Sequence, residues 1–241
     1  MGWSITGVKE LEDAISEMKL ELARKTGAQE GMTVVDVGCG QGGFTAALAR
    51  VVGETGKVFA LDVSDEYLTE FTARLDKYGV SSIVTFIRED AVNIEDIISN
   101  VVPDIVASYR LLEELKQPKD MSKIVKEMAR IVKRGGRVCI TELSTQTQNE
   151  AEETYVRLHR ESGDSLFEPH RILEAMGEAG LSGIRMEKLE TNIWFSPELA
   201  RQDLEFAQVW FDEDVRRTLG SEIDEYGMKY PALLMFSGMR K

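Results

Sequence analysis

The sequence predicts an α/β fold, a three-layer αβα sandwich around a mostly parallel sheet, and three observations predict it. Short apolar runs alternate with amphipathic helical patterns along the chain, the rhythm of successive βαβ units. A glycine-dense stretch, Asp36-Val37-Gly38-Cys39-Gly40-Gln41-Gly42-Gly43, joins the first apolar run to the first core helix. A length of 241 residues with 43% hydrophobic content suits one large domain, residues 1-241, with material to spare for a small lid.

The elements follow in order. Leu11, Ala14, Ile15, Met18, Leu22 and Ala23 recur at helical spacing up to Gly27, so residues 1-26 make an arm and an amphipathic helix. Met32 to Val35 is a buried strand, and Phe44 to Val52 is the helix after the glycines, closed by Gly53. Lys57 to Leu61 is a second strand ending in Asp62. A helix over Asp65 to Tyr78 ends at Gly79, and a third strand, Ile83 to Ile87, runs into Arg88-Glu89-Asp90-Ala91. A short helix is expected around Ile94 to Ile98.

Further along, residues 145-168 are longer and more polar than a plain connection, with a helix over Glu150 to Glu161 that lets Tyr155, Leu158 and His159 share a face. Pro169 starts a helix over Arg171 to Ala179, ended by Gly180, and a sixth strand is expected over Ile184 to Phe195. Ser196 as N-cap with Pro197 at the first helical position opens a second insertion, 196-228, carrying Leu199, Phe206, Ala207, Trp210 and Phe211. A final strand, Ala232 to Met239, closes the sheet.

Glycines at a strand-to-helix turn let backbone N–H groups approach a ligand, because no Cβ stands in the way. Gly38, Gly40 and Gly43 also satisfy the nicotinamide pattern G-x-G-x-x-G, and a tight turn without a ligand is the plain alternative. Asp36 sharpens the choice. An anion there gains nothing from a pyrophosphate but holds a cationic head, such as the amino group of a methionine moiety, which points to S-adenosylmethionine. Asp62, about 20 residues beyond the turn, can accept both ribose hydroxyls in either kind of site. Asp90 can offer its carboxylate to an adenine amino group and Ala91 a backbone N–H to the ring; Asp90 serves equally well as an N-cap.

Five elements in the right order carry a resemblance: Asp36-x-Gly38-x-Gly40-x-Gly42, Leu61-Asp62, Glu89-Asp90-Ala91, the fourth-strand run Pro103 to Ser108, and Ile131 to Ile140, which reads as helix end, Gly-Gly turn and fifth strand. Over about residues 27 to 180 the chain resembles the class I S-adenosylmethionine-dependent methyltransferases. The resemblance implies a seven-stranded sheet whose last strand runs antiparallel to its neighbours. It implies that Asp36 and Gly38 contact the methionine end, with Gly40 and Gly42 in the same turn, that Asp62 holds the ribose, and that Val63, Asp90 and Ala91 hold the adenine. The backbone near Ser108 and Tyr109 would close over the sulfonium side. Core and lid are similar to methyltransferases of the ubiquinone and menaquinone type, from which the fourth-strand sequence and the long second insertion depart.

Charge narrows the partners. Forty-two acids against 29 bases leave −13, which opposes a phosphate backbone, and the Lys123 to Arg137 region reads as a solvated helix face. The fourth strand ends Ala107-Ser108-Tyr109-Arg110, without the Asn/Asp-Pro-Pro-aromatic pattern of nucleobase amino-methyltransferases. No run of about 20 apolar residues suggests a membrane span, and Lys9 and Glu10 interrupt any signal peptide. Met1-Gly2-Trp3-Ser4-Ile5-Thr6 fits the myristoylation pattern loosely, with bulky Trp3 against it. Cys39 and Cys139 read as separate reduced thiols, and two histidines with no carboxylate cluster announce no zinc or magnesium site. The expectation is a cytoplasmic monomer or homodimer with a small-molecule substrate, no nucleic acid, no membrane and no metal.

Transfer from a sulfonium asks for alignment, exclusion of water and sometimes removal of a proton. His159, Glu142 and Tyr155 are the candidate catalytic groups; His170 reads as a surface or capping residue and Asp104 as structural. Trp3, Trp194, Phe206 and Trp210, with Phe195 and Phe211, form an aromatic-rich candidate lid over the substrate, unless they only bury the lid helix. The expected activity is methyl transfer from S-adenosylmethionine to a small molecule, leaving S-adenosylhomocysteine. The alternatives are a protein or RNA methyltransferase, a nicotinamide-dependent oxidoreductase, and a non-catalytic module that binds S-adenosylmethionine.

Overall fold

Strand β1 (Thr33–Val37) is where the fold is anchored. Its valines are fully buried and alternate between the two faces of the sheet, because a central parallel strand has helices on both sides. A computed structural model describes residues 9-94, 101-115, 117-207 and 213-241, and the side chains of all of these except 118, 203, 206 and 207. Trp3, Trp210, Phe211, most of the helix expected around Ile94 to Ile98, and the Phe206 side chain lie outside what is described.

Helix α1 (Lys9–Lys25) precedes β1, and the chain continues through α2 (Gly43–Val52), β2 (Lys57–Asp62), α3 (Leu68–Lys77) and β3 (Val84–Arg88). Then come β4 (Ile105–Tyr109), α4 (Met121–Ile131), β5 (Arg137–Leu143), α5 (Glu150–Glu161), α6 (Pro169–Glu178) and β6 (Leu181–Leu189). The remainder is β7 (Trp194–Phe195), α7 (Pro197–Ala207), α8 (Glu213–Tyr226), β8 (Met228–Lys229) and β9 (Leu233–Arg240). Seven strands form one sheet in the order β3-β2-β1-β4-β5-β9-β6, parallel except for β9, which runs antiparallel to both neighbours. The three-layer α/β sandwich with an antiparallel last strand is therefore present.

One face of the sheet packs against α1, α2 and α3, through residues such as Leu22, Leu48 and Phe71. The other packs against α4 and α6, through Ile124, Met128, Ile172 and Met176, with Phe236 of β9 among the largest fully buried side chains. The α1 stripe is buried at Leu11, Met18, Leu22 and Ala23, whereas Ala14 is exposed.

Two expectations change. The sixth strand begins earlier, at Leu181, and stops at Leu189 instead of reaching Phe195. Asn192 adopts a left-handed backbone with φ 52, which turns the chain out of the sheet. Trp194 and Phe195 then pair antiparallel with Lys229 and Met228, forming a second, two-stranded sheet within the lid. The lid proper is α5, α7, α8 and this small sheet, packed together. Ser196 does cap α7, its Oγ accepting from Leu199 N at 3.2 Å, and Asn149 caps α5 by accepting from Glu152 N at 3.0 Å. Among the described residues no helix is long and apolar enough to cross a membrane.

Candidate functional site

The carboxyl ends of the parallel strands β1, β2, β4 and β5 lie along one edge of the sheet, the position at which open α/β sheets take ligands. Asp36, next to last in β1, points to the α1–α2 face and is 1% exposed. Its Oδ2 accepts from Thr45 Oγ1 of α2 at 2.6 Å, while its Oδ1 is buried without a partner. Burial, aided by the charge of Asp62, pushes its carboxyl up to about 7, with the Thr45 bond and Lys19 pulling the other way.

The glycine turn is tied to β2. Gly38 N and Cys39 N both donate to Leu61 O, at 2.8 and 2.9 Å, and Gly40 N donates to Asp62 Oδ2 at 2.8 Å. The other Asp62 oxygen accepts from Ser64 N at 3.1 Å. A Cβ on Gly38 would meet Leu111 at 2.5 Å and one on Gly42 would meet Phe71 at 2.6 Å, so these two make room for packing; a Cβ on Gly40 would meet nothing within 4 Å. Gly40 faces open space, which is what a backbone receiving a ligand requires.

Past Asp62, Val63 is 64% exposed, an apolar surface on the rim. Asp90 accepts from Val92 N at 3.0 Å, so it braces its own turn. Ser108 is buried with an unpartnered Oγ, and the Tyr109 ring lies 5.5 Å from Phe44 while its hydroxyl meets that of Tyr230 at 2.7 Å.

A second group of side chains converges beyond β4 and β5. Arg110, in a left-handed conformation with φ 53, turns back under the lid. It donates to Glu113 Oε1 at 2.6 Å and to the hydroxyls of Tyr155 and Tyr230, each at 3.1 Å, and lies 3.3 Å from the ring nitrogens of His159. His159 Nδ1 is 2.6 Å from Asp164 Oδ2, and burial with the Arg110 charge pushes its imidazole down to about 4, against the pull of Asp164. Glu142 Oε1 accepts from Leu112 N at 3.0 Å; burial and the neighbouring Glu113 raise its carboxyl well above the usual range. Glu113 is raised to about 7 by burial, less than it would be without Arg110.

The three candidate catalytic groups are thus brought together around Arg110. Glu113, His159 and Asp164 also place ligand atoms within 4.8 Å of one another, a set that could face a metal ion. The guanidinium of Arg110 already supplies positive charge to Glu113 and lies against His159. Phe195 stacks 5.6 Å from Tyr155, while Trp194 is 57% exposed with the Lys229 amine over its ring. His170 is exposed and Asp104 accepts from Thr33 N at 2.8 Å, both in the roles expected of them.

Sequence reasoning missed Arg110, Glu113, Asp164, Tyr230 and Lys19. Lys19 carried a signal: it stands four residues after Ile15 and three before Leu22, on the buried stripe of α1. Arg110 with Glu113, and His159 with Asp164, are close in sequence, but the two pairs and Tyr230 meet only across long stretches of chain.

The chain matches the profile of the ubiE/COQ5 methyltransferase family over residues 16-161, more than half its length. It is 31% identical over 119 residues to the ubiquinone/menaquinone biosynthesis C-methyltransferase UbiE of Klebsiella pneumoniae, covering 49% of this chain and 45% of that protein. The Haemophilus ducreyi protein of the same name is 30% identical over 119 residues, covering 49% and 44%. The chain therefore spans about half the length of the curated relatives it matches. Among solved structures, a cyclopropane-fatty-acyl-phospholipid synthase-like protein from Lactobacillus casei superposes with a TM-score of 0.78 at 16% identity, covering 99% of this chain and 95% of that one. Phosphoethanolamine N-methyltransferase 2 of Haemonchus contortus, solved with phosphomonomethylethanolamine and S-adenosylhomocysteine, gives 0.60 at 20% identity, covering 93% and 52%. With the sheet order, the glycine turn and the profile match in agreement, the chain belongs to the ubiE/COQ5 methyltransferase family, within the class I S-adenosylmethionine-dependent methyltransferases.

Proposed function

We propose that the chain transfers the methyl group of S-adenosylmethionine to a small-molecule acceptor, chiefly by positioning. The observation that carries this is the unpartnered, buried Oδ1 of Asp36 beside a glycine turn whose Gly40 faces open space. A buried polar atom without a partner costs about 1–3 kcal/mol, and an amino group donating to Asp36 would relieve it. The residues present fit the cofactor. Asp36 would take its amino group, Asp62 its ribose hydroxyls, Val63 the face of the adenine, and Asp90 with Ala91 the adenine edge. Ser108 and Tyr109 would lie on the sulfonium side.

When bound, the cofactor supplies an activated methyl group and its own leaving group. The protein's share is alignment, worth about 7–11 kcal/mol when the acceptor is held in line, and dryness, which the lid provides. Arg110, Tyr155 and His159, which contact one another, would line the acceptor side. At neutral pH the His159 imidazole is uncharged, because burial and Arg110 disfavour the imidazolium. It suits orienting a polar acceptor better than storing its proton. Glu142, whose carboxyl burial raises well above the usual range, accepts from Leu112 N and supports the turn that carries Arg110.

The net charge of −13 favours a small molecule over a nucleic acid. Calorimetric titration with S-adenosylhomocysteine, beside NAD and NADP, tests the reading. Micromolar binding of the homocysteine compound alone is expected; binding of a nicotinamide alone would overturn it.

A further inference from the structure

Two cations converge on the first residue of α2. A Cβ placed on Gly43 would lie 2.6 Å from Lys19 Nζ and 3.0 Å from Arg74 Nη1, so a side chain from α1 and one from α3 end over the same helix N-terminus. The N–H groups of the first turn of a helix carry partial positive charge. Among the described residues neither cation has an ion pair or a hydrogen bond through its side chain; Lys19 has only the ring of Tyr109, 4.9 Å from its amine. Burial and the charges of Arg74 and Arg110 push the Lys19 amine down to about 7, with Asp36 opposing. The charges of Lys19 and Asp36 act on each other, yet neither is bonded to the other, and Asp36 keeps a buried oxygen without a donor.

A cationic corner beside an anionic one is a receptor for a zwitterion. We infer that Lys19, with Arg74 beside it, binds the carboxylate of the amino-acid end of the cofactor while Asp36 binds the amino group. This rests on the methyl-donor reading above and adds to it the residues that select the intact amino acid. Lys19 comes from α1, outside the glycine turn, so α1 is part of the cofactor site and not only a cover for the sheet.

The test uses the full chain and two ligands, S-adenosylhomocysteine and its decarboxylated analogue S-adenosyl-3-thiopropylamine, titrated by calorimetry. The wild type should prefer the carboxylate-bearing ligand by about tenfold or more, the effect of one charge-assisted hydrogen bond. Lys19→Met should weaken S-adenosylhomocysteine by a similar factor, leave the decarboxylated compound within about twofold, and be rescued by Lys19→Arg. Equal wild-type affinity for the two ligands would overturn the inference, and that comparison needs no variant to fold. Equal losses for both ligands in Lys19→Met would overturn it too. A wild type that binds neither compound removes the methyl-donor reading itself, a different result from binding both equally.

Discussion

At Asp36 stability and ligand binding pull against each other. Its carboxyl is raised from 3.8 to about 7, so the folded state holds the proton more tightly than the unfolded one. The associated stability is fully present below pH 3.8 and is lost as pH rises through about 7. Asp36→Asn should therefore be more stable relative to wild type at pH 8 than at pH 5, while binding S-adenosylhomocysteine less tightly. Thermal melts of both proteins at the two pH values decide this; a stability gap that ignores pH would refute it. The glycines separate in the same way. Gly40→Ala, with φ 46 and nothing within 4 Å, should cost only the left-handed backbone penalty, about 1 kcal/mol. It should nevertheless weaken the ligand, because its methyl group enters the ligand's space. Gly42→Ala, whose Cβ would meet Phe71 at 2.6 Å, should cost more than Gly40→Ala in denaturant unfolding. The geometry of the glycine turn was legible because Asp36 and the glycines follow one another along the chain, and the strand–helix–strand rhythm then brings Asp62 beside Gly40. Lys19 was not, since a lysine on a helix reads as solvated until α2 and α3 are seen to close over its end.

The lid is the element whose assembly depends on polar contacts inside an apolar shell. Glu152 of α5 and Lys229 of β8 form a buried ion pair at 2.7 Å, and Glu152 also accepts from Gln148 N at 2.8 Å. Removing one partner leaves a buried charge uncompensated, so Glu152→Ala should cost about 3–5 kcal/mol, whereas the double change Glu152→Leu with Lys229→Met should come out near neutral. Hydrogen exchange in α5 and α8 would localise the loss; equal damage from both variants would contradict it. Helix α5 could be read from the sequence to its terminal residues, because its apolar spacing and polar flanks are both local. The small sheet could not. Two-residue strands such as β7 and β8 show no period, and they are joined through 32 intervening residues, Ser196 to Gly227, so the run to Phe195 looked like one continuous strand.

Across the whole molecule the buried acids set the pH response. Asp36 and Glu113 are each raised to about 7, chiefly by burial, so each contributes stability that is present at low pH and lost as pH rises through neutrality; Glu142, raised well above the usual carboxylate range by burial, acts in the same direction. His159 opposes them: lowered from 6.5 to about 4, it contributes stability above 6.5 that is lost as pH falls through 4. Lys19, lowered from 10.5 to about 7, opposes them as well, its contribution being lost as pH falls through 7. Three carboxylates outweigh one imidazole and one amine, and the net charge of −13 adds self-repulsion that also relaxes on acidification. The ligand-free protein should melt at a higher temperature at pH 5.5 than at pH 7.5; the reverse order in a calorimeter would show that the buried acids are compensated. Fold class was the most legible property of all, because alternating strands and helices leave few topologies once connections are right-handed.

Strand β9 lies between β5 and β6, and β6 has its ladder with β9. During synthesis, Leu181–Leu189 leaves the ribosome well before Leu233–Arg240, so the nascent chain carries an unpaired strand edge while β7, α7, α8 and β8 are still being made. Chains released before residue 233 would keep that edge open and are expected to be chaperone clients or to aggregate, whatever the state of the cofactor site.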